Sequence, residues 1–168
     1  MVKVMKQSTY RTTHQNQGFT LVELVVVMII VAVLAGLAAP SFKSFIVNER
    51  VRGASFDLVS HLTLARSEAI KQNENVTIAS TSTTSAWQNG WSISGAGGDT
   101  VKTQGAYPKL TISTGSGTGP SSITFNRSGR AGSSVTFQIA DLADGVTPES
   151  RCVTVGLTAQ PMSKKGSC

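Results

Sequence analysis

The sequence predicts an α+β protein, with one long N-terminal helix followed by an antiparallel β-sheet or sandwich head. Three observations point there. An apolar run extends from Phe19 to Pro40. A helical stripe of apolar residues follows it. Beyond residue 75 the chain breaks into short β-prone runs separated by Gly and Ser.

The first 18 residues carry Lys3, Lys6, Arg11 and His14 and no acid. A basic stretch ahead of an apolar one keeps the front end in the cytoplasm. From Phe19 to Pro40, Glu23 is the sole charged residue. As a helix this run would extend about 33 Å at ~1.5 Å per residue, against a hydrocarbon core of about 30 Å. Residues 19–40 are therefore read as the transmembrane half of the helix. A carboxylate at that depth is costly and needs a partner. A secretory signal peptide cut near Ala39 and a plain single-pass anchor both leave Glu23 unexplained.

Pro40 is expected to kink the helix or interrupt its hydrogen bonding. Residues 41–75 then form the amphipathic half. Val47, Val51, Ala54, Leu58, Leu62, Ala65 and Ala69 recur at steps of three and four, the stripe of a helix with one face on a core. Glu49, Arg50, Arg52, Arg66 and Lys71 lie off it and are read as solvated. His61 is read as a surface or boundary residue. Gly53 weakens the helix by about 1 kcal/mol relative to Ala.

Residues 76–168 form the β-rich head. The predicted strands are Val76 to Ser80, Val101 to Thr103, Lys109 to Ser113, Ile123 to Phe125, Val135 to Ile139 and Cys152 to Val155. Trp87 to Ser94 holds two tryptophans around Asn89-Gly90, a frequent turn pair. Both tryptophans are read as core or turn packing.

The run Gly18-Phe19-Thr20-Leu21-Val22-Glu23 resembles the processing site of type IV prepilins and type II secretion pseudopilins. The resemblance implies a leader peptide, 1–18, removed by a prepilin peptidase between Gly18 and Phe19, and N-methylation of Phe19. It implies that Glu23 aligns subunits in a filament through the N-terminal amine of a neighbour. Opposite charges in a low-dielectric bundle relieve each other's burial. Further on, Leu64-Ala65-Arg66-Ser67-Glu68-Ala69-Ile70-Lys71, Trp87-Gln88-Asn89-Gly90-Trp91, Ile123-Thr124-Phe125-Asn126-Arg127-Ser128-Gly129 and Arg151-Cys152-Val153-Thr154-Val155 resemble the GspH/FimT family of minor pilins and pseudopilins. That implies a type IV pilin-like fold, with a β-sandwich or folded sheet laid against the helix.

Removal of the leader takes three of the +6 net charges with it and leaves a mildly basic chain. Cys152 and Cys168 follow a translocated segment and are expected to form a disulfide in an oxidising space. The loop would contribute about 3 kcal/mol on the chain-entropy model. No enzyme site and no cofactor is expected: only two histidines exist, and His14 lies in the leader. Gly95-Ala96-Gly97-Gly98 precedes Asp99 and a strand, which suits a turn rather than a phosphate loop. Asp141 and Asp144 lack the spacing of a calcium loop. No metal site is assigned. Some members of the family bind DNA through a Gly-Arg-x-Arg segment. Here the corresponding stretch is Ala159-Gln160-Pro161-Met162, without either arginine. The candidates for phosphate contact are Lys164, Lys165, Arg127 and Arg130, and solvated lysines on a disulfide-closed tail are the favoured reading.

The sequence thus reads as a minor pilin of a type IV pilus, a structural subunit of an initiation or tip complex. Its implied partners are other minor and major pilins through the N-terminal helix, the prepilin peptidase and the inner-membrane assembly platform. It would wait in the bacterial inner membrane with its head in the periplasm, then join the fibre. The alternatives are a GspH-like minor pseudopilin of type II secretion and a DNA-binding minor pilin for natural transformation.

Overall fold

The computed structural model describes residues 18–83, 85–115, 119–142 and 149–168, without the side chains of 38–41. The leader residues Lys3, Lys6, Arg11 and His14, and the loop residues Asp144 and Gly145, lie outside the described residues. The chain divides into two compact units, the second spanning Pro40–Cys168. The kink expected at Pro40 falls on that division, among side chains that are not described.

Helix α1 covers Leu21–Gln72. In the first unit its side chains from Leu21 to Leu37 are exposed all round. An apolar helix with no buried face needs lipid or other helices to cover it. Among the described residues no single helix is long and apolar enough to cross a membrane. Leu21–Leu37 and Phe42–Gln72 meet that test only as a pair, by length and composition.

In the second unit the predicted stripe is buried throughout, from Val47 through Val51, Ala54, Leu58, Leu62, Ala65 and Ala69. Two of the residues read as solvated are not. Arg50 is half-buried and bonds the Asp141 carboxylate at 2.7 Å. Arg66 is also half-buried, and its Nε has no hydrogen-bond partner among the described residues. Periodicity marks which residues point toward a core, but not which distant residue is brought against the rest.

Among the described residues eight strands follow: β1 Val76–Ser80, β2 Trp91–Ser94, β3 Thr100–Gln104, β4 Leu110–Thr114, β5 Ser122–Phe125, β6 Val135–Asp141, β7 Arg151–Val155 and β8 Pro161–Lys165. They form two antiparallel sheets, ordered β3-β2-β1-β5 and β4-β6-β7-β8. The chain leaves the first sheet for β4, returns to it for β5, and leaves again for β6. Neither sheet can therefore be completed without the other.

Register follows the alternation of apolar residues. In the first sheet Ile78 stands between Ile93 and Ile123. In the second, Phe137 pairs with Val153, and Ile139 with Ile112. These side chains and the helix stripe form one core. Trp87 joins it edge-on to Phe137, with ring centroids 4.9 Å apart.

Two local expectations are corrected. Asn89-Gly90 does lie in a turn, but that turn closes no hairpin. Trp87–Asn89 is a 3-10 turn leading into β2, and Gly90 has φ 100°. A Cβ there would collide with the Gln104 carbonyl, so the backbones meet where only Gly fits. The β2–β3 hairpin instead turns at Gly95–Asp99, where Gly95 donates to the Asp99 carbonyl at 3.0 Å. The second correction is β8, which was not predicted. Pro-Met-Ser-Lys-Lys has no apolar alternation, and it holds its place through backbone pairing with β7.

Candidate functional site

The N-terminal end of α1 carries the processing-site residues. Gly18 and Phe19 precede the helix, and Phe19 is exposed. A Cβ on Gly18 would meet nothing within 4 Å. Thr20 and Glu23 then close the first turn reciprocally. The Glu23 amide donates to Thr20 Oγ1 at 3.3 Å, and the Thr20 amide donates to Glu23 Oε2 at 3.4 Å. This is a capping box, in which two otherwise orphaned amides are satisfied by side chains. The helix dipole also favours a carboxylate at this end. Glu23 therefore has partners within its own chain, and shelter from a neighbouring subunit is not its sole means of tolerating an apolar setting. The signal was present as Thr-x-x-Glu ahead of an apolar run.

At the other end of the chain Cys152 and Cys168 form a disulfide. Cys152 is buried in β7, while Cys168 follows β8 and is exposed. The Cys168 amide donates to Gln138 Oε1 at 2.7 Å. The bridge and this bond fasten the tail across β7 to β6.

The four candidate cations for phosphate contact do not share an element. Lys164 and Lys165 are on β8, the edge of the second sheet, and Lys165 pairs with Glu149. Arg127 and Arg130 belong to the turn after β5, the edge of the first sheet. There Asn126 Oδ1 accepts from the Ser128 and Arg130 amides, both at 3.0 Å. The stretch Ala159 to Met162 is a tight turn running into β8, with buried Ala159 at φ 57°.

His61, read as a surface or boundary residue, is buried, with 8% of its surface exposed. Its Nδ1 accepts the Trp91 Nε1 proton at 3.1 Å. Trp91 stacks on Tyr107, whose hydroxyl donates to Asp57 at 2.7 Å. Burial pushes the His61 pKa down, against an upward pull from Asp57, with Lys102 adding to the lowering. Burial and the bond to Asp57 raise the Tyr107 pKa. These polar groups stitch helix to sheet, since each donor has an acceptor across the interface. Among the described residues no three His, Cys, Asp or Glu side chains are placed to hold a metal ion.

An exposed apolar first half and a buried stripe in the second half of one long helix, packed on two antiparallel sheets, make up the pilin-like arrangement. Residues 13–39 match the prokaryotic N-terminal methylation motif. Residues 54–159 match the family described as type II transport protein GspH, and the chain belongs to that family of minor pilins and pseudopilins. Solved structures share the fold. FimU, a type IV minor pilin of Pseudomonas aeruginosa strain PAO1, superposes with a TM-score of 0.58 at 23% identity, over 69% of this chain and 89% of that one. A second crystal form of FimU gives 0.56 at 24% identity, over 67% and 91%. EpsH, a minor pseudopilin from the type 2 secretion system of Vibrio cholerae, gives 0.51 at 14%, over 70% and 97%. No curated protein matches.

Proposed function

We propose that this chain is a minor pilin of a type IV pilus, made as a membrane-anchored precursor and built into the initiation or tip complex of the fibre. The observation that carries this reading is Glu23, the sole charge among residues 19–40, bonded to Thr20 directly behind Gly18-Phe19. A prepilin peptidase cuts between Gly18 and Phe19, and Phe19 is then N-methylated. Leader 1–18, membrane half 19–40, amphipathic half 41–75 and head 76–168 are the working divisions. Assembly buries the apolar helices against those of other minor and major pilins, through the inner-membrane assembly platform. The subunit is structural and has no catalytic role.

In the fibre the Glu23 carboxylate exchanges its capping bonds for the amine of a neighbour. Opposite charges at close range in a dry bundle are worth more than two long hydrogen bonds. Replacing Glu23 with Ala or Val is expected to lower surface pili about tenfold or more at unchanged protein level, since each 1.4 kcal/mol of lost pairing is a factor of ten. Unchanged pilus number would count against the proposal. Mass spectrometry of the cell-derived chain should find it beginning at N-methylated Phe19.

The family's own description supports a second reading, a minor pseudopilin of type II secretion. Deleting the gene separates the two: loss of pili supports the first, and loss of exoprotein secretion with intact pili supports the second. A DNA-binding role is the weakest reading, because its four cations are divided between two sheet edges and Lys165 is paired.

A further inference from the structure

His61 begins a chain of contacts that runs from the helix through the first sheet and back. Its Nδ1 accepts the Trp91 indole proton at 3.1 Å, so that nitrogen carries no proton of its own. The Trp91 ring stacks on Tyr107, with centroids 5.8 Å apart. The Tyr107 hydroxyl donates to Asp57 Oδ2 at 2.7 Å, and the Tyr107 amide donates to the Gln88 carbonyl at 2.7 Å. Tyr107 is half-buried in the segment 105–109, whose other four residues are exposed. That segment joins β3 to β4 and so crosses from one sheet to the other. The bond to Asp57 is Tyr107's polar tie to α1.

Asp57 lies four residues before His61, one turn back on the same helix face. Helical side chains lean toward the N-terminus, so the imidazole leans toward that carboxylate. The charged groups that act on His61 are Asp57, from its own helix, and Lys102, from β3. β2 brings Trp91 and no charge. A proton added to His61 goes to Nδ1, the ring nitrogen with a lone pair, which is the atom Trp91 donates to. Two N–H groups then face each other at the place where one donated to the other.

We propose that His61 and Asp57 form an acid-operated latch on the segment 105–109: protonated at Nδ1, His61 leaves Trp91 for the Asp57 carboxylate, and Tyr107, displaced from that carboxylate, lets the segment lift from the helix. The proton comes from solvent, and no bond between heavy atoms changes. Tyr107 yields because a charged donor outcompetes a neutral hydroxyl for a carboxylate. Trp91, on which the Tyr107 ring rests, has lost its own acceptor at the same moment. Tyr107 keeps its proton throughout, since burial raises its pKa. Burial keeps the imidazole neutral at pH 7 against the pull of Asp57, and Lys102 adds to the effect. The latch therefore holds at neutral pH and opens below the ordinary histidine value of 6.5.

The test is heteronuclear NMR on the full chain in detergent micelles, titrated from about pH 7.5 to 4.5, the range in which histidine charges. The ring nitrogens of His61 report protonation of Nδ1, and the Trp91 indole N–H reports loss of its acceptor. Hydrogen exchange at the Tyr107 amide, corrected for the intrinsic effect of pH, reports the segment. Its protection should fall about tenfold in step with His61, the factor that losing one hydrogen bond to a charged group carries. Leu62 and Phe137, in the core, should keep their native shifts. In His61→Gln the Tyr107 amide should stay protected across the titration. In Asp57→Asn the fall should largely disappear, because an oxygen remains for Tyr107 but no charge remains to draw the imidazolium. Tyr107→Phe should be as loose at neutral pH as the parent is in acid. Protonation of His61 with no change at Tyr107 would overturn the proposal, since the two carboxylate oxygens would then be serving both donors. So would a fall at Tyr107 that survives His61→Gln, or one accompanied by loss of the native core shifts, which is unfolding of the whole unit. A His61 that takes up no proton across the titration would overturn it as well.

Discussion

Glu23 shows how one residue can serve two states. In the single chain its carboxylate caps the helix it belongs to, reaching back to Thr20. Thr20→Ala removes the acceptor for the Glu23 amide and should cost about 1 kcal/mol of first-turn stability, seen as faster amide exchange at residues 21–24 in detergent. His61 is a second residue with a definite prediction. Its native pKa lies below the unfolded value of 6.5 because burial disfavours the imidazolium. A group whose folded pKa is depressed contributes stability that is full above the unfolded value. That contribution is lost as pH falls toward and through the native pKa. Urea midpoints should therefore fall between pH 7.5 and 5, with a change in Trp91 emission as its acceptor is protonated. His61→Gln keeps an acceptor for Trp91 and should flatten that part of the curve. An unchanged pH dependence in the variant would sink this assignment.

At the scale of elements, β8 depends on a covalent link more than on its own side chains. Its pattern is almost wholly exposed, so burial contributes little. Backbone pairing with β7 and the Cys152–Cys168 bridge hold it. Replacing both cysteines with Ser should cost about 3 kcal/mol on the chain-entropy model, measured by urea unfolding, with amide protection lost first at residues 161–165. The turn after β5 is held in a different way. Gly129 has φ 69°, and a Cβ there would approach Ile70 Cδ1 to 2.6 Å. Gly129→Ala should cost about 1–3 kcal/mol, since the backbone region is against it and the exposed Ile70 side chain would have to turn aside. A variant as stable as the parent would show that the turn can move off the helix.

For the whole second unit, one core serves both sheets. Leu58 and Leu62 are fully buried in the cluster that draws side chains from both. Leu58→Ala should cost about 2–5 kcal/mol and lower the unfolding midpoint without splitting the transition. Two separate transitions would refute a shared core. The chain's alternation between sheets argues the same way, because β5 and β6 are neighbours in sequence but lie in different sheets.

The sequence alone determined the long helix, its buried stripe, six of the eight strands to within a few residues, the cysteine pairing and the family resemblance. These rest on local signals, namely periodicity, turn residues, two cysteines and a contiguous motif, and a local signal survives being read one segment at a time. Tertiary structure decided the rest. Arg50 bonds Asp141 across 91 residues of sequence, and His61 is buried because Trp91, thirty residues on, brings it a proton donor. β8 exists because β7 offers an open edge to a tail that a disulfide holds close. Each of these depends on which distant partner arrives, and a residue's own spacing carries no record of that.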